Sequence, residues 1–328
     1  MKAVVIPRFG GPDVLELREM PTPVPQRGEV RVRVRATAVN RADLLQRAGA
    51  YPAPPDAPKD IPGLEFAGEV DAVGEGVAEP AIGDRVMGLC GGGAYAEAVV
   101  VPARAVAPVP ARLSFAEAAA VPEAFITAWD ALIDRAHLAA GETVLIPAVG
   151  SGVGLAALQL AAAIGARAIG TARTAQKLDR ARAFGLAEGD DIVVTGGAFA
   201  PDVLRATGGR GADVVLELVG GDYLAEDLAC LAMRGRIVLV GLMAGHRAEL
   251  DLGQVLRKRA QITGTMLRAR PLEEKLAAVR ALDRHVVPLL ARGAVKPVVD
   301  RTFPLAQAGE AHAYMASNGS FGKIVLEV

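Results

Sequence analysis

A strand, a glycine-rich turn and a helix follow one another between Thr143 and Ile164, and that order constrains this chain more than any other feature. Thr143-Val-Leu-Ile-Pro147 has the unbroken apolar character of a buried strand. Ala148-Val-Gly-Ser-Gly-Val-Gly154 is a turn of small residues, and Leu155-Ala-Ala-Leu-Gln-Leu-Ala-Ala-Ala-Ile164 continues as a helix. Such a turn gathers several backbone N–H groups around one point, where a pyrophosphate can sit close to the main chain. A second strand follows over 166–171. The dinucleotide fingerprint that holds the ribose 2′-hydroxyl of NAD places an Asp or Glu about 20 residues after the turn. Here the chain reads Thr171-Ala-Arg-Thr-Ala-Gln-Lys177, without a carboxylate. Arg173, Lys177 and the Thr174 hydroxyl are suited to receive a 2′-phosphate, which predicts NADPH. Cations are disfavoured by the macrodipole in a helix's first turn, so an anionic ligand explains them better than a solvated surface does. Gly150, Gly152 and Gly154 alternate, with Leu155 where the strict G-x-G-x-x-G pattern has its last glycine. The order of elements therefore carries more weight than the turn alone.

With 328 residues, the chain is long enough for two domains of ordinary size. The first 120 or so residues read mostly as β structure. Glu29-Val-Arg-Val-Arg-Val-Arg35 alternates charged and apolar residues, the period of a strand with one wet face. Residues 65–73 and 94–101 predict further strands, separated by glycine turns. A short helix from Arg41 to Arg47 precedes Tyr51-Pro-Ala-Pro-Pro55, which cannot be regular helix or central strand. Ser114-Phe-Ala-Glu117 has the capping-box spacing, and helical periodicity follows to Leu138, broken at Pro122. Strand-like runs over 143–147, 166–171, 191–194, 212–216, 235–240 and 261–264 then alternate with helical ones, which predicts a parallel sheet covered on both faces. A helix over 271–292, a strand over 297–303, a helix over 305–317 and a last strand over 323–328 cannot extend that sheet, so they return to the first domain. The expectation is an α/β chain: a mainly-β domain of residues 1–120 and 268–328, split around a doubly wound parallel-sheet domain of residues 121–267.

A formal net charge of −1 lacks the basic footprint of a nucleic-acid binder. No run reaches the roughly 18 apolar residues of a membrane helix. Met1-Lys-Ala-Val-Val-Ile6 meets Pro7 and lacks the form of a signal peptide, so the default is a soluble cytoplasmic protein. Cys90 and Cys230 are far apart and fit reduced thiols better than a disulfide. His137, His246, His285 and His312 share no metal-ligand spacing with one another or with a cysteine, which makes a zinc site improbable.

The arrangement resembles the medium-chain dehydrogenase/reductase superfamily, in which a GroES-like domain is split around a Rossmann domain. It is most similar to the zinc-free quinone oxidoreductases, especially the type related to the tumour-suppressor-inducible quinone oxidoreductase. The resemblance is carried by Asn40-Arg-Ala-Asp-Leu-Leu-Gln-Arg47, Ile61-Pro-Gly-Leu-Glu-Phe-Ala-Gly68, Gly83-Asp-Arg-Val86, Ala119-Ala-Val-Pro122, Ser151-Gly-Val-Gly154, Gly241-Leu-Met243 and Gly322-Lys-Ile-Val-Leu-Glu327. Zinc-containing members of the superfamily place a Cys where Asn40 stands and a His–Glu pair where Leu64 and Glu65 stand. They also carry a four-Cys lobe without counterpart here.

The resemblance implies cofactor contacts from Thr127 beside the nicotinamide and from Ser151, Gly152 and Val153 around the pyrophosphate. Arg173, Thr174 and Lys177 would take the 2′-phosphate. Gly241, Leu242 and Met243, with Thr265, Met266 and Leu267, would line the nicotinamide and ribose. Close relatives often offer a Tyr near the adenine after the third Rossmann strand, whereas this chain has Asp191-Ile-Val-Val-Thr195 there. Asn40 and Tyr51 are the substrate-side candidates. Asn40 can donate an amide N–H to a substrate oxygen or the cofactor ribose, and Tyr51 can offer a phenolic proton or an aromatic face. Asn40 also fits a plain helix cap before Arg41, and Tyr51 a loop anchor among prolines.

The expected activity is NADPH-dependent, metal-independent reduction of small quinones by a homodimer paired through an edge strand at 235–240. The alternatives are reduction of activated C=C bonds in enones or enoyl thioesters, and an NADPH-binding protein with little turnover.

Overall fold

The Arg/Val alternation produces the longest strand of the chain, Glu29–Val39, with Val30, Val32 and Val34 buried and Arg33 and Arg35 exposed. In the computed structural model, which describes residues 1–328, two units are distinguished: Met1–Ile126 with Leu267–Val328, and Thr127–Met266. We call them unit 1 and unit 2. The first division falls inside a helix, after Ile126, and not at residue 120.

In unit 1, β1 (Lys2–Val5) and β2 (Glu16–Glu19) form an antiparallel pair. They precede β3 (Glu29–Val39), α1 (Arg41–Arg47), β4 (Glu65–Val73), β5 (Arg85–Leu89), β6 (Ala98–Pro102) and β7 (Val106–Pro108). The strand expected from residue 94 starts only at Ala98. Tyr95 is fully buried, and its backbone bonds Pro62 and Val4 instead of joining β3. Ser114 then caps α2 (Phe115–Ala119), accepting from Glu117 N–H as its spacing predicts, and α3 (Pro122–Trp129) begins at the proline.

Past a π-helical turn, Asp130–Arg135, unit 2 continues with β8 (Thr143–Ile146), α4 (Gly152–Ala163), β9 (Arg167–Ala172) and α5 (Ala175–Arg182). Next come β10 (Asp191–Val193), α6 (Ala200–Ala206), β11 (Ala212–Glu217), α7 (Tyr223–Cys230), β12 (Leu231–Leu239), α8 (Leu252–Lys258) and β13 (Gln261–Gly264). The six strands form one parallel sheet in the order β10-β9-β8-β11-β12-β13. Residues 235–240 therefore do not form an edge strand. β12 is hydrogen-bonded on both sides, and the edge belongs to β13, whose four residues are all exposed. No helix is long and apolar enough to cross a membrane.

The chain returns to unit 1 through α9 (Leu272–Ala281), another π-helical turn and α10 (Val287–Ala291). It ends with β14 (Val299–Pro304), α11 (Ala308–Ala316) and β15 (Lys323–Glu327). β15 pairs antiparallel with β3, which places the last strand in the first domain's sheet of order β14-β15-β3-β4-β5-β7.

Candidate functional site

In unit 2, the chain leaves β8, turns through Ala148 at a left-handed φ of 52°, and enters α4 at Ser151. Ser151 Oγ accepts from Gly154 N–H at 3.1 Å and so caps the helix. Gly154 must lack a side chain: a Cβ there would lie 2.7 Å from Val149 O and 2.8 Å from Ala148 O. This tight turn gives the first N–H groups of α4, at Gly152 and Val153, the geometry that favours an anion.

Arg173 and Thr174 follow β9 and are exposed; Lys177 sits half-buried in the first turn of α5. That turn contains no acidic residue, and Thr174, although at the N-cap position, spends no side-chain bond on capping. A cationic, hydroxyl-bearing edge therefore stands at the carboxyl end of β9. Tyr223, at the start of α7, leans on Phe199 with ring centroids 5.2 Å apart. Burial raises its phenol pKa, and the charge of Arg173 works against that rise. Tyr223 follows the fourth strand of this sheet in chain order, whereas the Tyr that the resemblance places near the adenine follows the third.

Thr127 has a hydroxyl that is buried without a hydrogen-bond partner, a costly condition that a bound polar group would relieve. Gly241 passes against the end of β11, where a Cβ would lie 2.3 Å from Leu218 O. Leu242, Met243 and Met266 near it in sequence or at the end of β13 expose more than half their surface. Thr265 spends its hydroxyl inside the unit, donating to Asp130 Oδ2 at 2.5 Å.

In unit 1, Asn40 occupies the N-cap position of α1, but its amide does not cap. Capping is supplied by Asp43, whose Oδ2 accepts from Asn40 N–H at 2.8 Å. The Asn40 Nδ2 group donates to Glu65 Oε1 at 2.9 Å and to Ala38 O at 3.3 Å. Lys323 Nζ donates to Asn40 Oδ1 and Glu65 Oε1, both at 2.6 Å, and to Val39 O at 3.3 Å, which accounts for all three of its protons. Glu65 is fully buried and its second oxygen accepts from Glu123 N–H at 2.8 Å. The Asn40 amide hydrogens are thus committed within the unit.

Tyr51 lies beneath Arg268, whose guanidinium carbon is 5.2 Å from the ring centroid, and burial raises its phenol pKa. Arg268 is itself held by Gly91 O at 2.8 Å and Gln46 Oε1 at 2.6 Å. The carboxyl of Glu123 is pushed up to about 8, mainly by burial and then by the charge of Glu65. Glu123, Arg268 and Lys323 went unrecognised in the sequence.

Behind α1, Arg47 donates to His312 Nδ1 at 3.2 Å, which leaves Nε2–H to donate to Tyr95 Oη at 3.1 Å, and Tyr95 to donate to Asp43 Oδ2 at 3.3 Å. Burial and then the Arg47 charge hold His312 down at about 3, while burial lifts Asp43 to about 6. Tyr95 is accordingly structural. No three His, Cys, Asp or Glu side chains are grouped so as to hold a metal ion.

Residues 26–111 match the alcohol dehydrogenase GroES-like domain, and residues 189–326 match the zinc-binding dehydrogenase family. The chain is 35% identical to a quinone oxidoreductase of Pseudomonas aeruginosa over 99% of both chains. It is 32% identical to the quinone oxidoreductase of Homo sapiens over 99% of this chain and 97% of the human one. Among solved structures, Escherichia coli quinone oxidoreductase complexed with NADPH is similar at a TM-score of 0.89 and 31% identity, with both chains fully covered.

Proposed function

The chain belongs to the quinone oxidoreductase branch of the medium-chain dehydrogenase/reductase superfamily, and on that footing we propose that it reduces small quinones with NADPH and without a metal ion. The observation that carries the cofactor choice is the edge after β9, where Arg173 and Thr174 are exposed and α5 opens without a carboxylate. In this proposal Arg173, Thr174 and Lys177 hold the 2′-phosphate by charge-assisted bonds. Ser151, Gly152 and Val153 hold the pyrophosphate at the start of α4. The orphaned Thr127 hydroxyl receives a polar group of the nicotinamide end, near which Gly241, Leu242, Met243, Thr265 and Met266 supply packing. Tyr223, at the start of α7, offers a face to the adenosine.

NADPH supplies the hydride, and the protein's work is orientation and exclusion of water. In unit 1, Tyr51 has a phenolic proton to offer an acceptor oxygen. Asn40, whose amide is committed to Glu65, Ala38 and Lys323, acts as a fixed part of the wall. Metal independence is supported by the donor set, since Asn40 and Leu64 replace the thiolate and imidazole of zinc-containing relatives. The exposed edge of β13 supports a homodimer formed by strand pairing across it; a monomer by light scattering would exclude that.

The deciding assay follows oxidation of NADPH and NADH with a quinone panel and an enone and enoyl-thioester panel, with and without chelator. We expect quinone turnover, a preference for NADPH and no chelator effect. Preference for the thioesters would replace the first reading with C=C reduction. Binding of NADPH without turnover on any acceptor would leave a cofactor-binding protein.

A further inference from the structure

Besides the groups at its surface edge, unit 2 buries two carboxyls side by side. Glu217 ends β11 and Asp227 lies on α7, which packs against that strand; both side chains are fully buried. One oxygen, Glu217 Oε1, accepts from the N–H groups of Val219 and Gly220, the latter at 2.6 Å. The other three, Glu217 Oε2 and both oxygens of Asp227, meet no N–H or O–H donor. Asp227 is within hydrogen-bond reach of Glu217. Two buried carboxyls in contact, with no cation between them, cannot both be ionised. A proton on one turns an orphaned acceptor into a donor and satisfies the other.

The turn that Glu217 gathers also holds the segment proposed for the nicotinamide wall. Val219 O accepts from Ala244 N–H at 2.7 Å, and Gly245 O accepts from Gly221 N–H at 3.1 Å. Glu217 O accepts from Val240 and Gly241 N–H at 2.9 and 3.2 Å. Gly220 passes so close to Leu242 that a Cβ on it would lie 2.9 Å from Leu242 Cα.

The neighbouring charges leave the proton in place. Glu226, also on α7, adds negative charge, and its Oε2 accepts from Phe199 and Ala200 N–H. Lys258, on α8, donates to Leu228 O and Ala229 O. Arg205 of α6 pairs with Asp202, and Arg236 of β12 pairs with Glu142. Burial raises Tyr223 and Cys230, the other titratable groups of α7, and the charge of Arg173 is felt at Tyr223. Burial, then the charge of Glu217 and the hydrogen bond with it, hold the Asp227 carboxyl well above the usual carboxylate range.

From the three orphaned oxygens and the turn they adjoin, we propose that Asp227 stays protonated and donates to Glu217 Oε2, and that this acid pair is the positioning device for residues 241–243. Glu217 carries the charge because two backbone N–H groups already point at it. Asp227 carries the proton because nothing donates to it. The shared proton stands on the buried pair alone, whereas its consequence for hydride transfer rests on the proposed reductase function.

The test compares wild type with Asp227→Asn, whose amide keeps a donor for Glu217, and Asp227→Leu, which has none. Asp227 ionises when the chain unfolds above the ordinary carboxylate range, so folding takes up one proton. Between about pH 5 and 7 the wild-type unfolding constant should therefore rise about tenfold per pH unit relative to Asp227→Asn. An infrared difference spectrum at pH 7, wild type minus Asp227→Asn, should show a protonated carboxyl. Asp227→Leu should lose about tenfold to a hundredfold in kcat, the scale of a misplaced reactant, while its Kd for NADPH hardly changes. Asp227→Asn should recover most of that rate. The same pH dependence in wild type and Asp227→Asn, or no carboxylic acid band, overturns the shared proton. Wild-type kcat in a folded Asp227→Leu overturns the positioning role; should that variant not fold, Asp227→Ser takes its place. A wild type that reduces no acceptor overturns the reductase reading and the positioning role with it, while the first two measurements still decide the shared proton.

Discussion

Unit 2 and unit 1 carry their polar groups in opposite ways. In unit 2, the groups proposed for the nucleotide's phosphates come from one stretch, Ser151 to Lys177, and are backbone N–H groups or side chains at the surface. In unit 1 the polar apparatus is buried and assembled from distant segments: Lys323 meets Glu65 across 258 positions of sequence, and both side chains are almost wholly out of water. The difference teaches where each unit is vulnerable. A group at a surface edge can be removed at the expense of binding alone. A buried charge whose partner is removed stays buried, and the fold then carries the desolvation.

The largest effect should therefore come from unit 1. Lys323→Met removes the cation that neutralises Glu65 and the donor that fixes Asn40, and is expected to destabilise by about 3–5 kcal/mol, the range for breaking a buried pair. Denaturant unfolding measures it. Adding Glu65→Gln should restore part of the loss, because the two residues are coupled. A single-variant loss below about 1 kcal/mol, the range of exposed pairs, would erase the contrast between the units.

Next in size is the cofactor edge of unit 2. Arg173→Ala and Lys177→Ala should each weaken NADPH by roughly 1.5–3 kcal/mol, about tenfold to a hundredfold in Kd, the range for hydrogen bonds to charged groups. NADH affinity should hardly change. Calorimetric titration with both nucleotides decides it, and an equal loss for both would refute the 2′-phosphate role.

The same contrast governs what was legible in the sequence. The strand–turn–helix of unit 2, the cap at Ser114 and the helix from Arg41 are local features, and the sequence signalled each within a few residues. Lys323 looked like nothing more than the start of a last strand. Its meaning lies in Asn40, 283 positions away, and no periodicity reports a partner at that distance. Glu123 was hidden in the same way, since its neighbour Glu65 is 58 residues earlier. The apolar run at 235–240 was rightly a strand but wrongly an edge. An interior strand and an edge strand of a parallel sheet can have the same composition, and only the pairing of β13 alongside β12 separates them. Asn40 shows a finer limit: sequence placed it before a helix, but only the structure shows Asp43 doing the capping while the Asn40 amide turns to Glu65 and Lys323.

The smallest expected effect sharpens the comparison from within unit 2. Ser151 caps α4 through its bond from Gly154 N–H, and the turn it closes faces a pyrophosphate that NADH and NADPH have in common. Ser151→Ala removes a cap worth typically about 1 kcal/mol and frees an N–H that water can satisfy. The melting temperature should fall slightly, and the two nucleotides should weaken by the same factor. That equality distinguishes the turn from the edge after β9, where the loss falls on NADPH alone. If Ser151→Ala instead weakened NADPH selectively, the 2′-phosphate would have to sit nearer the start of α4 than Arg173 allows, and the division of labour along residues 151–177 would have to be redrawn.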